Sequence, residues 1–203
     1  MLDAMGVIYS VGDDVRGLLC PFVEEKGGAN DFSKIDRLYD LASLGKISAS
    51  ELWEAIDLDP GLEDEYLQRY RLTDGLIDFL KAINSRGFQV WCLSNDLSEW
   101  SRKLRVRFGL GKYFRGFIIS SDVGVRKPDR AIFECLLQRL DASPCDAVFI
   151  DDQKKNLDMA AELGFSTVLF DSGGHNLTGD RHQVAATFDE LLFLLSQVHK
   201  NYS

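Results

Sequence analysis

Helix-like and strand-like hydrophobic segments alternate along the chain from residue 73 onward. Short apolar runs rich in aromatic and β-branched residues occupy residues 88–93, 117–120, 147–150 and 167–170, and segments with helical spacing separate them. Strands that are apolar on both faces and are joined through helices are typical of a parallel sheet covered on both sides. The pattern therefore predicts a doubly wound, Rossmann-like α/β core.

Residues 13–72 follow a different pattern. Their apolar residues recur at helical spacing, Ser48 and Glu51 have the spacing of a capping box, and no run with strand character appears before residue 73. We predict a small all-helical cap over residues 13–72, inserted into a core formed by residues 1–12 and 73–203. Only two residues precede Asp3, so we expect either a stunted first strand or a chain that lacks some N-terminal residues.

Composition and charge exclude several classes of function. A net charge of −9 leaves no general basic face for nucleic acid or an anionic membrane. No apolar run reaches membrane-spanning length, and the chain shows no secretory signal pattern. Its four cysteines are scattered without metal-ligand spacing, which favours buried thiols in a reducing compartment. We therefore expect a cytoplasmic protein with neither nucleic acid nor membrane as a partner.

Polar residues stand where the predicted strands end. Three apolar runs lead directly into hydroxyl, amide or carboxylate side chains, in the order Ser94-Asn95, Ser120-Ser121-Asp122 and Asp151-Asp152. The carboxyl ends of parallel strands are where α/β sheets bind ligands. Two adjacent carboxylates at a buried strand end repel each other and lose hydration, and a hard divalent cation would offset both costs. The alternative is that this pair only caps the following helix.

Asp3, Lys127 and the Ser94-Asn95 pair are ambiguous by themselves. Asp3 follows the short first run, and Gly6 lets the backbone turn tightly and direct N–H groups towards an anion. Lys127 lies in a Lys-Pro-Asp segment that leads into a helix, where a plain surface lysine is equally compatible with the pattern. Ser94 and Asn95 are also ordinary turn and cap residues.

The order of these elements along one chain is specific. Asp-x-x-Gly-Val, apolar-Ser-Asn, Lys-Pro-Asp and apolar-Asp-Asp-x-x-x-Asn together resemble the haloacid dehalogenase superfamily of hydrolases, over residues 2 to about 171. The predicted helical cap resembles the small cap that this family inserts after its first motif, and residues 45–53 resemble a recurring piece of it. The resemblance implies hydrolysis of a small phosphorylated or otherwise anionic substrate.

The resemblance also implies a role for each matching residue. Asp3 would be the nucleophile that forms a covalent aspartyl intermediate. Ser94, Asn95 and Lys127 would bind the transferring group, and Lys127 would also neutralise charge on the nucleophile and the transition state. Asn156 would orient the neighbouring loop. Mg²⁺, the implied cofactor, would be held by Asp3, the backbone carbonyl of Met5, Asp151 and Asp152, with Asp152 as the more direct ligand of the last pair.

Met5 is the departure from the family pattern. In the family's phosphatases, the residue two positions after the nucleophile is an aspartate that protonates the leaving oxygen. Methionine cannot move a proton, and loss of a positioned general acid costs about 10²–10⁴ in rate. Two forms of a Mg²⁺-dependent phosphatase follow: one is restricted to substrates with good leaving groups, and the other takes its acid from elsewhere, from Asp13 or Asp14.

Other classes of function stay open on the sequence alone. The family's haloacid dehalogenases and phosphonate hydrolases also lack the acid, but the dehalogenases lack the double carboxylate as well. The phosphonate hydrolases form a Schiff base with a cap lysine, for which Lys26, Lys34 and Lys46 are available and none is distinguished. A non-catalytic member that binds a phosphorylated ligand or a protein is a further alternative.

Two remaining features have ordinary interpretations. A basic stretch forms either the solvated face of the helix after Ser94 or a surface that steers an anionic partner; it comprises Arg102, Lys103, Arg105, Arg107, Lys112 and Arg115. Residues 173–176, Gly-Gly-His-Asn, lack the ending of a phosphate-binding P-loop and are predicted to connect to a last helix, which begins at the capping-box signature of Thr187 and Glu190.

Overall fold

Parallel strands form the centre of the protein. The computed structural model describes residues 1–29, 31–140, 142–174 and 181–200. Its strands pair in parallel as β1 with β2, β3 with β4 and β4 with β5. They are β1 (Trp91–Ser94), β2 (Gly116–Ile119), β3 (Val148–Asp151), β4 (Ser166–Phe170) and β5 (Gln183–Ala185). The predicted Rossmann-like α/β fold is confirmed.

Leu2 joins the two groups of strands into one sheet. It bridges in parallel to Cys92 of β1 and to Ile150 of β3. The Leu2 N–H donates to the Trp91 carbonyl at 2.8 Å, and the Asp3 N–H donates to the Ile150 carbonyl at 2.9 Å. The order is therefore β2, β1, Leu2, β3, β4, β5. The short first strand consists of this one bridging residue, and Asp3 leaves the sheet between β1 and β3.

Between the Leu2 bridge and the helix that begins at Leu76, residues 15–67 form a helical segment. It contains a π-helical turn (Val15–Leu19), α1 (Cys20–Lys26), α2 (Phe32–Ser43), α3 (Ala49–Ala55) and α4 (Glu63–Leu67). The capping box of Ser48 and Glu51 at α3 is confirmed. An antiparallel bridge between Tyr9 and Leu72 closes the base of this segment. Its separation as a cap domain over residues 13–72 stays a prediction.

Six further α-helices lie in the described part of the core. They are α5 (Leu76–Ser85), α6 (Ser98–Arg107), α7 (Ser120–Val123), α8 (Arg130–Leu137), α9 (Lys154–Glu162) and α10 (Phe188–Lys200). Two boundaries differ from expectation. The alternating pattern is predicted from residue 73 onward, but its first helix, α5, begins after Gly75, whose φ of 80° breaks the regular path. Ser120, predicted as a strand end, is the first residue of α7.

The helical segment packs on the core through aromatic side chains. Trp53 and Tyr66 lie 5.7 Å and 4.9 Å from Trp100 of α6, measured between ring centroids, and all three side chains are fully buried. The indole N–H groups of Trp53 and Trp100 both donate to Glu63. Because large aromatic rings contribute most of the area in such contacts, this cluster is a main source of attraction between the two parts.

The basic stretch on α6 contacts the helical segment. Lys103 Nζ lies 2.8 Å from Glu63 Oε1 and 2.5 Å from Asp64 Oδ1. Arg107 donates to the backbone carbonyls of Leu67 and Gln68. Lys103 is half-buried in these ion pairs, whereas Arg107 stays exposed, as expected for a solvated face; a steering role of the stretch stays a prediction. These two cations hold α4 against α6.

Three further expectations concern membrane-spanning helices, the cysteines and the connection at residues 173–176. No helix in the described ranges is long and apolar enough to cross a bilayer. The four cysteines are free thiols; Cys92 is buried, Cys20 and Cys135 are half-buried, and Cys145 is exposed. Of the predicted connection at 173–176, His175 and Asn176 lie outside the described residues.

Candidate active site

Three carboxylates converge at the carboxyl edge of the sheet. Asp3 follows the Leu2 bridge, Asp151 is the last residue of β3, and Asp152 comes next. One oxygen from each of the three lies within 4.8 Å of the others. Asp151 is fully buried and Asp3 nearly so. Strands that run in parallel side by side bring these residues together, although about 150 positions separate them in sequence.

Lys127 lies between two of these carboxylates. Its Nζ is 2.6 Å from Asp3 Oδ1 and 2.7 Å from Asp151 Oδ2, and its side chain is 1% exposed. Burial alone would lower the pKa of Lys127, but the charges of Asp151 and Asp3 raise it above its ordinary value. The side chain is therefore a fixed cation, which contradicts the alternative of a surface lysine.

Asn95 holds the backbone of Lys127 in place. The Lys127 N–H donates to Asn95 Oδ1 at 2.8 Å, and Asn95 Nδ2 donates back to the Lys127 carbonyl at 3.0 Å. The peptide bond from Lys127 to Pro128 is cis. Asn95, predicted as a substrate-binding residue, thus uses its amide to fix the loop that carries Lys127.

Asp151 is saturated by protein donors. It accepts from the Gln153 N–H at 2.8 Å and from Asn156 Nδ2 at 2.9 and 3.0 Å, in addition to Lys127. Asn156, expected to orient this loop, does so through the carboxylate of Asp151. Because these bonds occupy both oxygens of Asp151, Asp152 is the freer of the two carboxylates for a metal ion.

Asp152 packs between two glycines. A Cβ atom on Gly6 would stand 2.4 Å from Asp152 Oδ2, and one on Gly12 would stand 2.9 Å from the same oxygen. Gly6 also has a φ of 73°, a conformation that is strained for any residue with a Cβ. The backbone of the first loop can approach the carboxylate this closely only because these two positions lack side chains.

We expect Gly6→Ala to impair metal binding as well as stability. The positive φ should cost about 1–2 kcal/mol, and the added methyl group should displace Asp152, lowering apparent Mg²⁺ affinity by about tenfold or more. Gly27→Ala is the matched control, since Gly27 has a φ of 75° and a Cβ added there would meet no atom of the described residues within 4 Å. Urea unfolding and Mg²⁺ titration measure the two effects; equal Mg²⁺ affinities in both variants would contradict the role of Gly6.

The charges of the cluster suit a divalent cation. Burial, followed by the charge of Asp151, raises the pKa of Asp3 well above its usual range. The same two causes raise the pKa of Asp152 to about 6. Lys127 provides one positive charge beside three carboxylates, and oxygen ligands of this kind are those that Mg²⁺ prefers. The donor set therefore fits Mg²⁺, with Asp152 and Asp3 as the accessible carboxylates.

A cavity of about 540 Å³ opens onto this cluster. Its wall includes Asp3, Met5, Asn95, Lys127 and Asp152. Met5 is 7% exposed, so only a small part of this residue faces the cavity. The fully buried Ser94 has a hydroxyl without a hydrogen-bond partner in the described part of the chain. Of this predicted pair, Asn95 is the residue that lines the cavity.

The helical segment closes the other side of the cavity with acidic residues. Asp13, Asp14, Asp36 and Asp40 all line it, and Asp40 forms an ion pair with Arg126, the neighbour of Lys127. The sequence analysis did not identify Asp36, Asp40 or Arg126. No local pattern marks them, because their common location arises from the packing of α2 against the loop after α7.

Known proteins resemble this chain in sequence. A family profile described as haloacid dehalogenase-like hydrolase matches residues 30–164. Flavin mononucleotide hydrolase 1 of Arabidopsis thaliana is 27% identical over 112 residues, which cover 55% of this chain and 45% of that protein. A sesquiterpene phosphatase of Aspergillus oryzae is 26% identical over 152 residues, which cover 64% of this chain and 78% of that protein.

The fold has solved counterparts. A haloacid dehalogenase family enzyme of Bacteroides thetaiotaomicron, crystallised with magnesium and inorganic phosphate, has a TM-score of 0.70 and 20% identity. The similarity covers 87% of this chain and 95% of that one. The chain spans less than half the length of several curated relatives that it matches, including the flavin mononucleotide hydrolase at 45%. With a family profile that matches more than half of its residues, the chain belongs to the haloacid dehalogenase-like hydrolases.

Proposed function

We propose that this protein is a Mg²⁺-dependent phosphatase that hydrolyses a small phosphorylated metabolite through an aspartyl-phosphate intermediate on Asp3. The observation that carries the proposal is the ion pair of buried Lys127 with Asp3 and Asp151, next to Asp152. A carboxylate that attacks an anionic phosphate must have its charge balanced, and the positions of these groups provide that balance.

Each residue of the cluster has a defined task in this reaction. Asp3 attacks phosphorus and carries the phosphoryl group. Lys127 orients the Asp3 carboxylate and neutralises charge as the phosphoryl group is transferred. Asp3, the Met5 carbonyl and Asp152 would hold Mg²⁺, which would neutralise and orient the phosphate, and Asp151 positions Lys127. Ser94, whose hydroxyl is buried, unpaired among the described residues and outside the cavity wall, would have to turn towards the cavity to donate to a phosphoryl oxygen.

The alternatives receive less support from the site. In the described part of the cavity wall the lysines are Lys127 and Lys155, so none of the cap lysines considered for a Schiff base is placed there. A dehalogenase has no need of a third carboxylate beside the nucleophile. Two relatives are named as a hydrolase of flavin mononucleotide and as a sesquiterpene phosphatase, which favours phosphate esters over carbon–halogen bonds. We keep the cytoplasm as the proposed compartment.

A phosphatase screen with metal control tests the proposal. Purified protein should release inorganic phosphate from a panel of phosphate monoesters in Mg²⁺ and lose this activity in EDTA. Asp152→Asn should lower apparent Mg²⁺ affinity by more than about tenfold, since even outer-shell partners contribute 10–100-fold. Raising Mg²⁺ should restore part of the activity of Asp152→Asn. Halide or aldehyde release without Mg²⁺ would support the alternatives, and binding of Mg²⁺ and phosphate without any turnover would favour a non-catalytic member.

A further inference from the structure

We propose that Asp14 is the general acid and base of this site and takes over the function that Met5 cannot perform. The inference rests on the proposed phosphatase function and names a residue that the family motifs do not mark. It is carried by the placement of a buried, hydrogen-bonded carboxyl group in the wall of the cavity that contains the nucleophile.

The position of Asp14 is fixed by two tyrosines from separate elements. Tyr39 of α2 and Tyr70, which follows α4, donate their hydroxyls to Asp14 Oδ2 at 3.0 and 2.8 Å. Asp14 is 5% exposed, and both tyrosines are also buried. With Oδ2 held in this way, Oδ1 is the oxygen through which Asp14 can exchange a proton with a molecule in the cavity.

The segment that carries Asp14 lies against the metal-binding side of the cluster. Gly12, two residues earlier, is close enough to Asp152 that a Cβ atom there would stand 2.9 Å from Asp152 Oδ2. Asp14 and Asp3 line the same cavity. A phosphate ester held at Asp3 would therefore occupy the same cavity as the Asp14 carboxyl group.

Asp13 has a different environment, although it also lines the cavity. Its side chain is 57% exposed and its Oδ2 lies 3.4 Å from Arg16 Nε. Its other oxygen accepts from the Arg16 N–H at 2.9 Å. Both oxygens of Asp13 are thus engaged by Arg16 at an exposed position, outside the buried environment that surrounds Asp14. Of the two acids considered from the sequence, Asp14 is the one suited to the task.

The burial of Asp14 also affects its pKa. Burial raises the pKa of Asp14, against the hydrogen bonds from Tyr70 and Tyr39, which lower it. Asp96, in the loop after β1, is itself fully buried, and the charge of Asp14 raises the pKa of Asp96. The other charged or titratable groups that face Asp14 are Asp13, Tyr66 and Arg126. A raised pKa brings an acid closer to the working pH, where it donates a proton most effectively.

The reaction then balances in two steps. In the first, an Asp3 oxygen forms a bond to phosphorus while the bond from phosphorus to the leaving oxygen breaks. The electron pair stays on that oxygen, which takes the proton of the Asp14 carboxyl group and departs as an alcohol. In the second step, the Asp14 carboxylate removes a proton from water as the water oxygen forms a bond to phosphorus, and the bond from phosphorus to the Asp3 oxygen breaks with its electron pair staying on Asp3. Inorganic phosphate leaves, and Asp3 as carboxylate and Asp14 as carboxylic acid are restored.

A leaving-group series tests this assignment. In Asp14→Asn, kcat for alkyl phosphates should fall by about 10²–10⁴, whereas kcat for p-nitrophenyl phosphate should fall by less than about tenfold, because that leaving group needs no proton. Asp13→Asn should keep the dependence on leaving group of the unmodified protein. Adding Met5→Asp to Asp14→Asn should restore alkyl phosphate turnover, because it supplies an acid at the family position.

The possible outcomes separate this inference from the function on which it rests. If Asp3→Asn removes turnover and Asp14→Asn leaves the dependence on leaving group unchanged, the role of Asp14 is wrong and the phosphatase stands. If activity survives Asp3→Asn, the proposed function itself fails. An equal loss on alkyl and aryl phosphates in Asp14→Asn, without rescue by Met5→Asp, would assign Asp14 a structural role only.

A second variant keeps the proposal testable if Asp14→Asn does not fold. Tyr70→Phe removes one of the hydrogen bonds that stabilise the Asp14 carboxylate, so the pKa of Asp14 should rise further. The alkaline limb of the kcat/KM profile for an alkyl phosphate reports the acid that must stay protonated, and it should move to higher pH in Tyr70→Phe. An unmoved limb in a folded, active variant would overturn the assignment.

Discussion

Replacement of Asp3 by Asn is expected to lower the rate of phosphate release by at least about 10⁴-fold, in line with the loss of a catalytic nucleophile. The substitution is isosteric and removes one of three carboxylates that lie within 4.8 Å of one another. Since burial and the charge of Asp151 already disfavour the ionised form of Asp3, the variant should fold at least as well without Mg²⁺. Acid-quenched unmodified protein should carry an acyl phosphate that hydroxylamine releases, and Asp3→Asn should carry none.

Comparison with Asp152→Asn separates the nucleophile from a metal ligand. Excess Mg²⁺ should restore part of the activity of Asp152→Asn, because only the occupancy of the metal site is reduced. The same excess should leave Asp3→Asn inactive, because no metal concentration replaces a missing bond-forming oxygen. Substantial turnover by Asp3→Asn, or acyl phosphate mapped to another residue, would exclude the mechanism proposed for this cluster.

The sheet was predictable where burial on both faces left a continuous apolar run. The segments ending at Ser94 and Asp151 were placed within a few residues by this signal, and the polar residues after them mark the ligand-binding edge. β5 was missed because it has three residues and begins with Gln183, which is too short and too polar for a run to be seen. The bridging of Leu2 on both sides was equally hidden, because a single residue has no periodicity.

The candidate site was predictable as far as the order of motifs could identify it. Asp3 and Lys127 are uninformative in isolation, and only their combination with the strand-end carboxylates pointed to a common site. The acidic residues of the cavity wall were not predictable. Asp14 is distinguished by its hydrogen bonds with Tyr39 and Tyr70, which lie 25 and 56 positions further along the chain. Such contacts depend on how the helical segment packs against the core, and no local pattern in one sequence predicts this packing.

Docking of the helical segment has a consequence for access to the site. The aromatic cluster around Trp100 joins this segment to α6 as one hydrophobic core, and Lys103 strengthens the same contact. Nearer the cavity, α2 is held by the ion pair of Asp40 with Arg126 and by a buried hydrogen bond from Ser120 Oγ to the Ser43 carbonyl. A half-exposed ion pair contributes far less than a buried aromatic cluster. The side of Asp40 and Arg126 is therefore the one expected to yield when a substrate enters.

Lys127→Met is expected to destabilise the protein by about 3–5 kcal/mol at pH 8 without Mg²⁺, because removal of one partner leaves buried charges uncompensated. Methionine preserves most of the volume of the lysine stem, so the loss reports charge more than packing. The carboxyl groups of Asp3 and Asp151 would then have no lysine cation within 2.7 Å, where Lys127 now lies. Urea unfolding in EDTA measures the free energy of unfolding, and phosphate release should also be lost.

The pH dependence of this loss identifies its cause. Lys127 lowers the raised pKa of Asp3, so without Lys127 the pKa of Asp3 in the folded state should stand still further above its unfolded value, and the folded state binds more protons. Stability of the variant should then fall as the pH rises from the unfolded pKa towards the folded one, and the gap to the unmodified protein should be smaller near pH 5 than at pH 8. Saturating Mg²⁺ should narrow the gap in stability at pH 8, because the cation replaces part of the missing positive charge.

Lys155→Met is the control variant. Lys155 lies at an exposed position in the same cavity wall, and its replacement should change stability by less than about 0.5 kcal/mol. A loss in Lys127→Met that is equal at both pH values and insensitive to Mg²⁺ would mean that packing, and not charge balance, is what Lys127 contributes to the fold.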